Sequence, residues 1–164
     1  AEPGRAVDVM PATEALAEEW TRTIRHGIDA GRPLLGICLG MQWLFEGSDE
    51  APGRPGLGLL NGQCYRLPAE SNGTTVKIPH VGWNALDMRR ADTIVDGVAP
   101  GSQVYFTHSF AAPITGDTVA VTEHGQPFAA IVQRGRVAGV QFHPEKSGDV
   151  GLHILQNFLR LASR

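Results

Sequence analysis

Apolar residues recur every four positions early in the chain, where Leu16, Trp20, Ile24 and Ile28 form one stripe in an otherwise polar stretch. That period predicts a helix over 11–30. Glu14, Glu18 and Glu19 lie early in it and Arg22, Arg25 and His26 late, which complements the helix dipole. Gly31 and Pro33 then stop it. Pro33-Leu34-Leu35 is a short apolar run, the pattern of a buried strand, and a second helix is expected over 41–46, ending near Gly47. Residues 47–62 are rich in Gly, Pro, Ser and Asp and read as a loop. Beyond them the pattern changes to strands, expected over 63–67, 75–78, 104–107, 118–122, 128–133 and 137–142, with Arg134-Gly135 as a hairpin turn. A last helix is expected over 148–162, with Leu152, Leu155, Phe158 and Leu159 as its apolar stripe and Ser147 as its cap.

This order predicts an α/β layer architecture with a mixed sheet flanked by helices. The length of 164 residues fits one domain, 1–164. Residues 1–32 offer no strand, although a central strand of a doubly wound sheet needs neighbours on both sides. The chain therefore reads as starting inside its domain, without the first strands. A net charge of −3 carries no basic footprint and argues against a nucleic-acid partner. Two cysteines, Cys38 and Cys64, are too few for a disulfide framework and favour a reducing compartment. No secretory signal and no membrane-length apolar run are visible, so a soluble cytoplasmic protein is expected.

The chemistry concentrates in Gly36-Ile37-Cys38-Leu39-Gly40, between the expected strand and helix. Gly-x-Cys-x-Gly at such a junction has the form of a nucleophile elbow with sulfur in place of oxygen, a tight turn that calls for small residues on both sides of the nucleophile. The helix N-terminus would favour thiolate over thiol at Cys38, which suggests acyl transfer or amide hydrolysis. The pentad alone also fits a small buried hydrophobe. Cys64, in Gln63-Cys64-Tyr65-Arg66-Leu67, reads as a packed strand residue.

Val140-Gln141-Phe142-His143-Pro144-Glu145 supplies a possible second half. Residues two apart in extended backbone point the same way, so His143 and Glu145 can face one site as a base and the carboxylate that orients it. With Cys38, 105 positions before His143, they make a Cys-His-Glu triad. Taken singly, His143 also reads as a strand-end histidine bonded to backbone, Glu145 as a solvated charge, and the two together as metal ligands. Metal is disfavoured because no further ligand sits at close spacing, and no cofactor is called for. His26, His80, His108, His124 and His153 are scattered and read mostly as surface or structural residues.

Gly36-Ile37-Cys38-Leu39-Gly40-Met41-Gln42 together with Phe142-His143-Pro144-Glu145 resembles the class I (triad) glutamine amidotransferases, which implies their flavodoxin-like mixed sheet. Three further stretches look like the HisH family, the glutaminase subunits of imidazole glycerol phosphate synthase. They are Ile78-Pro79-His80-Val81-Gly82-Trp83-Asn84, Val104-Tyr105-Phe106-Thr107-His108-Ser109-Phe110, and the run from Phe142 to Gly148; Gly56-Leu57-Gly58-Leu59-Leu60 agrees. The resemblance runs from about residue 3 to the C-terminus.

It implies that Cys38 attacks the glutamine side-chain amide, that His143 is the general acid/base and that Glu145 orients it. It makes the backbone N–H of Leu39 an oxyanion donor, and lets Gln42, Ser109 and Phe110 hold glutamine. It turns Trp83, Asn84, Tyr105 and Lys146 toward a (β/α)8 barrel cyclase/synthase subunit, in a heterodimer that passes ammonia across for histidine biosynthesis. The second oxyanion donor falls in Pro3-Gly4-Arg5-Ala6, with Gly4 and Arg5 at the substrate. There the chain departs from the family's Pro-Gly-Val-Gly-like loop, and Ala6 resists positive φ where Gly does not, which makes a peptide flip harder. The alternatives are a catalytically impaired partner-binding fragment and an amidotransferase subunit of another synthase. A Cys-type α/β-hydrolase fits less well, because its acidic residue would precede the histidine.

Overall fold

The computed structural model describes residues 10–163, with side chains from residue 17 onward. It falls into two compact units, 1–32 and 33–164. The first contains helix α1 (Met10–Asp29), close to the expected bounds. Gly31, at φ 78°, turns the chain out of it, and the Gly31 and Arg32 amides donate back to Ile28 and Gly27. Gly4 and Arg5 lie outside the described residues, as do the side chains of Glu14 and Leu16.

The second unit holds β1 (Leu34–Ile37), α2 (Leu39–Gln42), β2 (Gly47–Ser48), β3 (Gln63–Arg66), β4 (Glu70–Ser71), β5 (Thr74–Thr75), β6 (His80–Ala85), β7 (Asp87–Met88), β8 (Gln103–His108), β9 (Phe110–Ala111), β10 (Thr118–His124), β11 (Gln126–Arg134), β12 (Val137–Val140) and α3 (Gly148–Ala162). The main sheet has the order β1-β12-β11-β10-β7, with β1 and β12 parallel and the other neighbours antiparallel. It is a mixed sheet, as the order of elements predicted. β6 pairs with β8, β4 with β5, and β3 lies between β2 and β9.

β11 and β12 are joined at Gly135-Arg136, with Arg134 paired to Val137 and Gly135 at φ 59°, which is the expected hairpin. From Phe128 to Val132 every residue of β11 is fully buried, so this strand reads as a continuous apolar run. Phe128, Ile131, Val140, Phe142, Phe106 and Ile154 belong to one core cluster, which α3 closes.

Several elements differ from expectation for identifiable reasons. α2 is a single turn of four residues, because Trp43 and the residues after it bond to the 56–60 loop instead of continuing the helix. The 75–78 strand is reduced to β5; Val76 makes one bond to Ala69 before the chain reaches Pro79, which has no N–H to offer. β6 escaped prediction because its pattern is inverted. Polar His80 is buried and Asn84 half-buried, while Val81 and Trp83 face out. β7 and β9 have two residues each, too short for a periodic signal.

The stripe of α3 is also rotated from expectation. Gly151, Ile154, Asn157 and Leu161 are buried, whereas Leu152 and Leu159 are 54% and 65% exposed. Gly151 accounts for this phase: a Cβ there would lie 2.0 Å from the Pro144 carbonyl oxygen, so the helix docks through its smallest residue. Asn157 follows on the same face and donates to Ile94 and Asp96 carbonyls. Ser147 stands at the N-cap position of α3, but its side chain makes no cap bond there. It is buried, donates to the His143 carbonyl at 2.7 Å and accepts from the Tyr105 amide at 3.0 Å.

Candidate active site

The parallel pairing of β1 with β12 brings the two halves of the site together. Ile37 lies opposite Val140, and the Cys38 amide donates to the Val140 carbonyl at 2.8 Å. The segments leaving both strands, Cys38 on one side and Gln141 to Glu145 on the other, thus start from the same sheet edge. This edge, outside the carboxyl ends of parallel strands, is where open α/β sheets place their ligands.

Cys38 has φ 51° and ψ −110°, a conformation that L side chains rarely adopt. Such backbone costs on the order of 1–3 kcal/mol and persists where surrounding structure enforces it. Here the enforcement is visible on one side. A Cβ on Gly36 would sit 2.5 Å from the Gly40 carbonyl oxygen, so the elbow closes only over glycine. The expected need for smallness at both glycines holds at Gly36 alone: a Cβ on Gly40 meets nothing within 4 Å.

The thiol pKa of Cys38 is raised, above all by burial, with the Glu50 and Glu145 charges adding to this. The Leu39 N–H and the Gln141 side chain act in the opposite direction. The expectation that the helix dipole would leave a thiolate is therefore corrected. α2 has one turn of aligned peptides, and its pull is smaller than the desolvation of the sulfur. Sγ lies 3.9 Å from the Thr107 carbonyl, a weak acceptor contact for the neutral thiol, and 3.5 Å from Gln141 Nε2.

His143 Nδ1 is 2.9 Å from Glu145 Oε1. The carboxylate accepts the Nδ1 proton and so leaves Nε2 as the basic nitrogen. Partial burial works against the Glu145 charge. Its own backbone N–H, His143 and Lys146 outweigh that and hold the carboxyl below its ordinary range. The bend comes from the 3-10 turn Pro144–Lys146, anchored by the His143 amide on the Tyr105 carbonyl.

Gln42 is buried, and its Nε2 donates both to the Phe110 carbonyl at 2.8 Å and to Gln141 Oε1 at 3.0 Å. Its Oε1 has no hydrogen-bond partner among the described residues. The Ser109 carbonyl accepts the Leu67 amide, and the Phe110 carbonyl also accepts from His108 Nδ1 at 2.7 Å. Of the four expected interface residues, three gather on one surface: Trp83 packs edge-on to Tyr105 at 5.9 Å between centroids, and Lys146 Nζ stands 5.9 Å from the Tyr105 ring. Asn84, next along β6, falls on the other face, with Oδ1 2.8 Å from His80 Nε2.

Sequence reasoning missed Gln141 and the His80–His108 pair. The signal for Gln141 was a single polar residue at the end of an apolar strand; Gln141 is fully buried. Cys64 is packed as expected: it is fully buried, donates to the Gln42 carbonyl at 3.6 Å, and burial pushes its pKa to about 12. Among the described residues no cluster of three or more His, Cys, Asp or Glu could hold a metal, and no helix is long and apolar enough to cross a membrane.

A half-buried cysteine in a strained elbow and a carboxylate-bound histidine thus stand at the same end of a mixed α/β sheet. The chain belongs to the class-I glutamine amidotransferase family, whose model matches residues 10–162. It is 49% identical over 134 residues to the imidazole glycerol phosphate synthase subunit HisH of Deinococcus radiodurans, covering 80% of this chain and 60% of that protein. It is 50% identical to the subunit of the same name from Xylella fastidiosa, covering 96% of this chain and 80% of that one. A crystal structure of a glutamine amidotransferase superposes with a TM-score of 0.62 at 25% identity, covering 92% of this chain and 72% of its own. The chain thus spans less than two thirds of the Deinococcus relative's length.

Proposed function

We propose that this chain carries the glutaminase site of an imidazole glycerol phosphate synthase, hydrolysing glutamine and supplying ammonia to a cyclase/synthase subunit. The observation that carries this reading is the Cys38 elbow on β1, hydrogen-bonded to β12, whose continuation holds the His143–Glu145 pair. The similarity to HisH subunits supports the choice of synthase.

In this mechanism His143 Nε2 takes the Cys38 proton, and the thiolate attacks the side-chain carbonyl carbon of glutamine. The oxyanion that forms needs preorganised N–H donors, and the Leu39 amide, already directed at the sulfur, is one. The imidazolium then protonates the leaving nitrogen, and ammonia departs from a glutamyl thioester. Water, deprotonated by His143, attacks the thioester, and glutamate leaves with regeneration of the thiol. Glu145 holds the tautomer and stabilises the imidazolium.

Gln42, with its unpartnered Oε1, offers an acceptor to glutamine. The Ser109 and Phe110 carbonyls are engaged within the protein, so contact from this segment would come from its N–H groups and the Ser109 hydroxyl. The raised thiol pKa of Cys38 fits a site that idles until a barrel subunit binds. Trp83, Tyr105 and Lys146 form the surface such a (β/α)8 partner would cover, in the cytoplasm.

The test is glutamate release by the full-length protein, alone and with its synthase subunit carrying ribonucleotide ligand. Cys38→Ala is expected to abolish glutamine-dependent synthesis and to spare synthesis from added ammonia; full glutamine-dependent activity in that variant would end the assignment. A second reading, a partner-binding module without glutaminase chemistry, is favoured by the elevated Cys38 pKa alone. Stoichiometric labelling of Cys38 by an electrophilic glutamine analogue in the complex would exclude it.

A further inference from the structure

We infer that the Gln141 side-chain amide is the thiolate donor of this site, a buried group that holds the charged form of Cys38 and is aimed at it by a chain of hydrogen bonds starting at the Phe110 carbonyl. This rests on Cys38 being the nucleophile proposed above, and adds a residue that the triad does not include.

The direction of the chain follows from chemistry. A backbone carbonyl can only accept. The Phe110 carbonyl is 2.8 Å from the Gln42 amide, so Gln42 must present its nitrogen there. His108 Nδ1, 2.7 Å from the same carbonyl oxygen, must likewise donate. The second N–H of Gln42 then points to Gln141 at 3.0 Å, and Gln141 must answer with its oxygen. That leaves the Gln141 nitrogen facing Sγ at 3.5 Å. The assignment of both amides, often arbitrary for Asn and Gln, is here forced by one carbonyl.

The arrangement discriminates between protonation states of the sulfur. A neutral thiol can donate to the Thr107 carbonyl, 3.9 Å away. A thiolate cannot, and it accepts from Gln141 Nε2 and the Leu39 N–H instead. The charges facing Cys38 are the Glu50 and Glu145 carboxylates, both of which oppose the thiolate. Among the described residues, the Leu39 N–H and the Gln141 side chain are the groups that act on the resting sulfur in favour of its charged form. Gln141 and Gln42 are 0% and 4% exposed, so water does not compete for these bonds. A buried hydrogen bond to a charged group is worth roughly 1.5–3 kcal/mol, which corresponds to about one to two pH units of thiol acidity.

The experiment follows the pH dependence of Cys38 alkylation by iodoacetamide in the full-length protein bound to its synthase subunit. Gln141→Met, similar in volume and without a strong donor, is expected to move the alkylation midpoint up by about one unit or more. A midpoint unchanged from the parent in a folded Gln141→Met protein would overturn the inference. Should that variant fail to fold, the unaltered protein decides. The Gln141 side-chain N–H resonances should shift with the Cys38 titration, and this response should vanish after Cys38→Ser; resonances flat through the Cys38 midpoint would overturn it. Neither readout needs glutamine turnover. A shifted midpoint with no glutamate release would sink the proposed glutaminase and leave Gln141 as the donor.

Discussion

His80 and His108 face each other across β6 and β8, with His80 Nδ1 2.9 Å from His108 Nε2. Because His108 Nδ1 donates to Phe110, its Nε2 accepts and His80 donates. Burial makes this pair poorly basic. It lowers the pKa of His80 and takes His108 to about 4 from 6.5, against a raising hydrogen bond to Phe110 and with help from the charges of His80, His124 and His143.

That pair predicts a stability loss in mild acid. Below about 6.5 the unfolded chain binds a proton at His108 that the folded chain refuses until about 4. Stability is therefore complete above the unfolded pKa and falls as pH drops through that window, by up to about 3 kcal/mol from this residue. Urea midpoints at pH 7 and pH 5 measure it. His108→Asn, which keeps a donor for Phe110 but does not titrate, should flatten the slope.

At the elbow, Gly36→Ala places a methyl 2.5 Å from the Gly40 carbonyl oxygen, where only backbone movement can relieve it. The expected cost is about 1–3 kcal/mol, read as a lower thermal midpoint. Gly40→Ala meets open space and should leave the midpoint nearly unchanged.

Gly151→Ala tests the support of the His143–Glu145 turn from behind. Its Cβ would press on the Pro144 carbonyl at 2.0 Å, directly between His143 and Glu145. Stability should fall by about 1–3 kcal/mol, and glutamate release should fall with it as the His143–Glu145 pair is displaced. Undiminished turnover in the folded variant would mean that α3 does not set this geometry.

Glu145→Gln keeps the shape at His143 and removes the anion. The amide can offer a donor to Nδ1, which favours the wrong imidazole tautomer. A kcat lower by about 10²–10⁴ with little change in KM is expected from steady-state glutaminase assays.

The two cysteines should react differently. Cys64 is fully buried and its pKa is near 12, whereas Cys38 is only partly buried. Brief iodoacetamide treatment of the native protein at pH 8, read by mass spectrometry of peptides, should label Cys38 and spare Cys64. Equal labelling would contradict the packing of β3 against α2.

The elements that could be read in advance were those whose periodicity matches their burial. β10, β11, β12 and the bounds of α3 fall where alternation, an apolar run or a four-residue repeat placed them. β6 was hidden because it buries His80 and exposes Trp83, the reverse of the usual strand pattern. α3 was found but rotated, since Gly151 and Asn157, invisible to an apolar count, lie on its docked face. Of the candidate site, Cys38, His143 and Glu145 were legible from local motifs, while Gly4 and Arg5 lie outside the described residues.

By itself the sequence determined the chemical identities at the site: a cysteine between glycines at a strand–helix junction, and a histidine two residues before a glutamate. Those are local patterns, set by what a tight turn and an extended segment permit. Only the tertiary structure decided that β1 lies beside β12, so that Cys38 and His143, 105 positions apart, follow neighbouring strands. The tertiary structure also decided the sign of the Cys38 shift. A one-turn helix offers a small favourable potential, whereas burial by sequence-distant segments removes water from the sulfur, and that desolvation is the larger effect.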